Sequence, residues 1–448
     1  SPRAQLMLHE FRKLVKGSAF IFTCRLTGAI LVFLTQIYLA RWMGAEQLGY
    51  YVYAFSLCTL ISTLFGLGYP AASLRVIGHN LAHNGLAYIQ GFIQYGWRVI
   101  AGFSLIAGGI GAVLILAMQT RIPAGYAMPL VIAMLSVPLF AVLRLNLRVA
   151  HAMSWFKLAF LPNMVIRPLL FLLAVFFVWE TGPHLSANVA MLLQFMALGL
   201  ITFGQYIILR RMLKGVLKDT QPLFDKQAWL RMAAPLLLIT LFTQYSPEIS
   251  VAIIGTLLSP DEIAIFNASY RVALFIAFGL AAVNSFTTPR VSRLFAAGDR
   301  DGMQHIIALA TQIKFWPALG ALLVLVFFGH DILGLFGEEF LAGYETLLLL
   351  GLAQLALAAV GPVDVLLSIT GHQDRCLKVF AFALVATVML NLVLVPHYGI
   401  NGAAATVLIV VLIWAIWLHG LVVRHLGVQP SVLAFRSAIT RVAHRELP

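Results

Sequence analysis

The chain has 448 residues, 61% of them hydrophobic and only 10% charged, and its 30 Lys and Arg against 17 Asp and Glu give a formal net charge of +13. That balance excludes an ordinary soluble domain. Apolar runs of about 20 residues recur along the whole chain, the length a helix needs to cross ~30 Å of hydrocarbon, so a polytopic helical membrane protein is expected.

Residues 1–16 are basic and amphipathic, with Arg3, Arg12, Lys13 and Lys16. They lead into a full-length span, not a short apolar core with a cleavage site, so no cleavable signal peptide is expected. Two apolar runs follow, Ser18–Leu39 and Gly49–Pro70, joined by the polar corner Arg41-Trp42-Met43-Gly44-Ala45-Glu46-Gln47 and left at Arg75. The plan returns 215 residues later without a gap: Ala233–Ile254 is apolar, Ser259-Pro260-Asp261-Glu262 is the corner, and Arg290-Val291 falls on Arg75-Val76. Twelve spans are predicted, at about 18–40, 48–70, 88–117, 124–148, 156–178, 186–208, 231–257, 263–289, 304–328, 341–369, 376–396 and 400–423.

The connections sort by charge. One side carries 24 of the 30 basic residues, among them Arg75, Arg144, Arg148, Lys157, the run from Arg210 to Arg231, Arg290 and Arg375. The other side carries only Arg41 and Arg121 and is otherwise polar or acidic, as at Asp331, Glu338, Glu339 and Glu345. This asymmetry puts both termini in the cytoplasm and requires an even number of spans. It also explains the basic surplus through topology and anionic lipid headgroups, with no nucleic acid needed. The longest cytoplasmic connection, about 209–230, divides the chain into an N-lobe (1–215) and a C-lobe (216–448) of six spans each. An even number per half makes the internal symmetry a parallel pseudo-two-fold repeat, around a central cleft. The tail 425–448 alternates apolar residues with Arg436, Arg441, His444 and Arg445, as a surface-lying amphipathic helix would.

Four basic residues remain within spans: Arg25, Arg98, Arg167 and Arg271. Each costs about 2.5–3.5 kcal/mol at mid-membrane on insertion scales, so each is a candidate for a cavity or an anionic ligand. Arg25 and Arg271 lie too deep to reach a headgroup easily. Arg98 is nearer the cytoplasmic end and can snorkel. Arg167 precedes Pro168, which frees the carbonyl of residue 164 and offers the guanidinium a structural use. Two acids are also deep, Glu248 after Pro247 and Asp364 after Pro362; either can exchange a proton, ligate a cation or pair with an arginine. The loop histidines, His151 among them, read as solvated, and Cys24, Cys58 and Cys376 as free thiols without metal spacing. There is no catalytic set, no metal site, no nucleotide-binding loop and no cofactor signature. A cation-coupled antiporter and a membrane polymerase or ligase stay open as rivals to an anion-binding transporter.

Several stretches carry a family likeness. Leu39-Ala40-Arg41-Trp42-Met43-Gly44-Ala45-Glu46-Gln47-Leu48-Gly49-Tyr50 resembles the corner signature of bacterial polysaccharide flippases of the multidrug/oligosaccharidyl-lipid/polysaccharide exporter superfamily. Phe65-Gly66-Leu67-Gly68 with Arg75, Pro289-Arg290-Val291-Ser292-Arg293-Leu294 with Gly298-Asp299, and Asn391 to Ala404 around Pro396-His397-Tyr398-Gly399-Ile400-Asn401-Gly402 agree in order and spacing, the last being the most specific. The resemblance implies an all-α integral membrane fold of about 12 transmembrane helices in two six-helix lobes, V-shaped, working by alternating access in the bacterial inner membrane. Its implied cargo is an undecaprenyl-diphosphate-linked oligosaccharide, moved from the cytoplasmic to the periplasmic leaflet. A polysaccharide polymerase and a chain-length regulator are the implied protein partners, and membrane lipids the surroundings. Cys24-Arg25-Leu26-Thr27-Gly28 and Ala268-Ser269-Tyr270-Arg271-Val272 are similar to stretches that place cations in the cleft of related lipid II flippases. Where those proteins add an arginine pair after span 2, this chain has Gly66-Leu67-Gly68-Tyr69, and twelve spans replace fourteen. Both departures favour a repeat-unit flippase.

Overall fold

The computed structural model describes residues 2–182, 184–217, 220–363, 366–367 and 373–432. Among these, regular structure is helical apart from one isolated bridge between Val360 and Ser431. The helices are α1 (Pro2–Leu64), α2 (Tyr69–Ala82), α3 (Leu86–Ala117), α4 (Ala124–Ala152), α5 (Phe156–Leu161), α6 (Arg167–Glu180), α7 (Ala187–Val216), α8 (Lys226–Ile254), α9 (Pro260–Ala296), α10 (Arg300–Gly334), α11 (Tyr344–Ala359) and α12 (Gln373–Leu426). A π-helical turn, Pro162–Ile166, joins α5 to α6, and a 3-10 turn, Glu338–Gly343, precedes α11.

Nine helices among the described residues are long and apolar enough to cross a membrane. Two of these are of double length, Ala19–Leu64 with 46 residues and Asp374–Leu426 with 53. At 1.5 Å per residue each is about twice a bilayer core, and each has room for two of the predicted spans. Both bend at a glycine. Gly44 has φ 77° and ψ 170°, and Gly399 has φ 56° and ψ −137°, left-handed values that a side chain opposes.

The residues around these bends explain the sequence signatures. Beside the first bend, the Glu46 carboxylate accepts from the Tyr50 hydroxyl at 2.9 Å, and Gln47 Oε1 accepts from the Ala187 N–H at 3.0 Å. Gln47 thereby satisfies an orphan donor at the start of α7 and ties the corner to a distant helix. In the repeat, Ser259 stands at the register of Gly44 and begins α9 with a capping box, its N–H and hydroxyl both donating to Glu262 Oε2, at 3.1 and 2.8 Å. At the last bend, Asn401 donates to Glu345 at 2.7 Å and accepts from the Thr346 hydroxyl at 2.6 Å, which fastens α12 to α11.

The chain divides into two compact units, Ser1–Ile249 and Ser250–Pro448, the division falling within α8. In the first unit α4 is central and packs on α1, α2, α3, α5 and α7. An apolar core holds Tyr69, Phe92, Ile93, Leu145 and Trp229, with the Phe92 and Trp229 rings edge to face at 5.4 Å. In the second unit α9, α10 and α11 pack on one another and α12 on α9 and α11. Helix α11 ends at Ala359, and the chain beyond α12 returns to that end. Gly361 N–H donates to the Pro430 carbonyl at 2.9 Å, Gln304 exchanges two bonds with the Gln429 backbone at 2.7 and 3.1 Å, and Gln312 donates to the Val432 carbonyl at 2.9 Å.

Candidate functional site

Helix α4 continues to Ala152, beyond the predicted end at residue 148. Arg144 and Arg148, at the end of the predicted span and counted there with the basic cytoplasmic side, therefore lie inside the helix and not at its edge. With His151 they recur at i, i+4 and i+7, which puts all three on one face.

The surrounding helices fix each guanidinium differently. Arg144 Nη1 donates to the Thr59 carbonyl at 3.0 Å and to the Thr63 hydroxyl, both on α1. Its guanidinium carbon lies 4.5 Å from the Tyr245 ring centroid and 5.5 Å from that of Phe140. Arg148 is held by one long bond, Nη2 to Gln244 Oε1 at 3.5 Å. Arg167 Nε donates to Asn163 Oδ1 at 3.0 Å, and its guanidinium stands 5.5 Å from the same Phe140 ring.

Arg167 leaves the π-helical turn, its own N–H donating to the Pro162 carbonyl. The carbonyl at Met164, which Pro168 deprives of a helical donor, faces α1 at Gly28, where an added Cβ would overlap it. The guanidinium thus serves Asn163 and not that carbonyl.

Arg25 is exposed on α1 and lies within electrostatic reach of Arg148 and His151. Arg144 lies within reach of both Arg148 and Arg167. Arg25, Arg148, Arg144 and Arg167 form a connected cationic series in the first unit. Among the described residues, the hydrogen-bond partners of Arg144, Arg148 and Arg167 are carbonyl, hydroxyl and amide oxygens, none of them a carboxylate. Neutral acceptors orient the guanidiniums without cancelling their charge, so the site keeps a positive field suited to a multiply charged anion.

The other candidates lie elsewhere. Arg98 is exposed on α3. Arg271 is half-buried on α9 in the second unit. Glu248 is half-buried on α8, one turn past Gln244, just after the helix breaks at Tyr245 (φ −125°, ψ 18°) two residues before Pro247. Asp364 lies outside the described residues. His151 is only half-exposed, and its ring meets those of Phe156 and Phe160 edge to face, at 6.0 and 5.0 Å.

A family model described as "Polysaccharide biosynthesis protein" matches residues 14–295, and one described as MatE matches 235–395. Two curated proteins of Haloferax volcanii are similar. The probable low-salt glycan biosynthesis flippase Agl15 is 26% identical over 158 residues, 34% of this chain and 33% of that protein. The probable flippase AglR is 23% identical over 160 residues, 35% of this chain and 34% of that protein. The chain spans about a third of the length of these relatives. Among solved structures, an inward-facing multidrug resistance MATE family transporter aligns with a TM-score of 0.70 at 14% identity, covering 94% of this chain and 96% of the other. The lipid II flippase MurJ in an inward closed conformation aligns with a TM-score of 0.70 at 13% identity, covering 90% and 87%. At these identities the likeness is one of fold, that of a multi-pass, all-helical membrane protein.

Proposed function

Because this chain belongs to the polysaccharide biosynthesis protein family, we propose that it is a flippase for a lipid-linked glycan. Its cargo in this reading is an oligosaccharide repeat unit on undecaprenyl diphosphate, carried from the cytoplasmic to the periplasmic leaflet of a bacterial inner membrane, with both termini in the cytoplasm. The observation that carries the reading is the cationic series Arg25, Arg144, Arg148 and Arg167, the last three oriented by neutral partners.

The cargo offers a pyrophosphate diester with two negative charges that do not titrate near neutral pH. Forked guanidinium donors match such a group in charge and geometry. Binding there brings the polar head out of the leaflet while the polyprenyl tail stays in lipid. Alternating access then releases the head on the far side. Arg25 and Arg148, the least engaged of the series, contact the phosphates, and Arg144 and Arg167 set the field behind them. Arg271 is a further anion contact in the second unit.

A second reading, a cation-coupled multidrug antiporter, draws support from the MatE match over 235–395 and from half-buried Glu248. One experiment separates the two. Lipid-linked intermediates are extracted from cells lacking the protein and from cells carrying Arg25→Ala or Arg271→Ala, and the leaflet of the sugar head is determined. Complete repeat units trapped on the cytoplasmic side support the flippase. Normal lipid-linked sugars with altered sensitivity to cationic drugs support the antiporter, and unchanged polymer in both single variants removes the pyrophosphate role of these arginines.

A further inference from the structure

His151 is a titratable group that this account of anion binding leaves unused. It sits one turn beyond Arg148 on the cationic face of α4, and its Nδ1 is buried without a hydrogen-bond partner. The ring is lodged against the edges of Phe156 and Phe160 from α5. Its sequence neighbours Ala150 and Ala152 belong to the apolar core or pack against it. The charges that bear on it are those of Arg148 from its own helix and Arg25 from α1. They are the two arginines assigned above to the phosphates.

We infer that His151 takes up a proton from solvent when Arg25 and Arg148 bind a pyrophosphate diester, so that anion affinity at this site is linked to pH; the inference rests on the pyrophosphate reading above. The reasoning is electrostatic. With the site empty, burial of the ring and the two guanidiniums beside it oppose a third positive charge. A bound dianion offsets the guanidiniums and shifts the field at the imidazole toward the imidazolium. The balance is simple: one solvent proton adds to the free ring nitrogen, no bond breaks, and the proton returns to solvent when the anion leaves. The apolar packing matters because Phe156 and Phe160 offer no carboxylate to hold the ring charged beforehand. The histidine answers to the occupancy of the arginines.

The test uses the purified full-length protein and dimethyl pyrophosphate, a diester that does not itself titrate near neutral pH. Calorimetry in two buffers of different ionisation enthalpy counts the protons taken up per diester bound. The wild type is expected to take up a substantial fraction of a proton, about half, near the ordinary histidine range. Its affinity is expected to fall as pH rises, approaching tenfold per pH unit in the limit of one linked proton. In His151→Gln, which keeps a neutral polar side chain, uptake disappears and the affinity becomes flat with pH. Diester binding without proton uptake in the wild type overturns the inference and leaves the anion site standing, whether or not the variant folds. Equal uptake in wild type and His151→Gln also overturns it. Failure of the wild type to bind the diester at any pH overturns the pyrophosphate reading and this inference with it.

Discussion

Arg148→Ala and Arg144→Ala, four residues apart on one helix, should fail in opposite ways. Arg144 gives one hydrogen bond to a carbonyl, one to a hydroxyl, and its face to Tyr245. Charged hydrogen bonds contribute about 1.5–3 kcal/mol each and a ring contact about 1. Removing Arg144 therefore costs about 3 kcal/mol or more and unfastens α4 from α1. Arg148 gives a single bond at 3.5 Å. Its removal also relieves repulsion from Arg25 and Arg144, so stability stays within about 1 kcal/mol of wild type. Binding reverses the order. Loss of a forked, charge-assisted contact to phosphate is worth about 2–3 kcal/mol, a weakening of about 30- to 150-fold. Arg148→Lys, with the charge but without the fork, should fall between. Thermal unfolding in detergent and diester titration of the same preparations separate the two quantities. An Arg148→Ala protein with wild-type stability and wild-type diester affinity would refute the reasoning that the loosely held guanidinium is the one that meets the ligand.

Three further outcomes are expected. Diester affinity should drop steadily with added salt, since the site is a like-charge series open at Arg25, and titrations at low and high ionic strength check this. Gly28→Val should lower the unfolding midpoint, because the new side chain overlaps the Met164 carbonyl; overpacking of this kind costs about 1–3 kcal/mol. Asn401→Ala should destabilise by about 1–3 kcal/mol by removing its two bonds to α11, measurable as a lower midpoint with transport substrate binding unchanged.

The helical runs were legible because apolar length is a local property, and Arg25, Arg167 and Arg271 were each conspicuous as a charge inside an apolar run. Arg144 and Arg148 were not. Both stand near the end of a span, where counting basic residues assigns them to a loop, and helix α4 runs on past that point. Their spacing, continued by His151, was the available signal; it marks a helical face whether or not hydropathy has ended. The signatures at Gln47 and Asn401 were legible as patterns only. Their partners, Ala187 for the first and Glu345 and Thr346 for the second, are distant in sequence, and no local rule points to them. The π-helical turn at Pro162–Ile166 was half legible: two prolines announced a disturbance, and the approach of Gly28 to Met164 is a tertiary fact.

The return of the chain to the end of α11 carries a consequence for biosynthesis. The Gly361 N–H, the Gln304 amide and the Gln312 Nε2 are bonded to residues 429–432, beyond the last long helix. A ribosome making this protein releases α10 and α11 well before it has made those partners. Until then these particular donors and acceptors must be served by water or by other molecules, at a stage when the surrounding helices are already seeking one another. The second unit is therefore completed late at one end, by residues made about 70 positions after α11, and a chain stalled or cut before them would leave that end open to the quality-control machinery that surveys nascent membrane proteins.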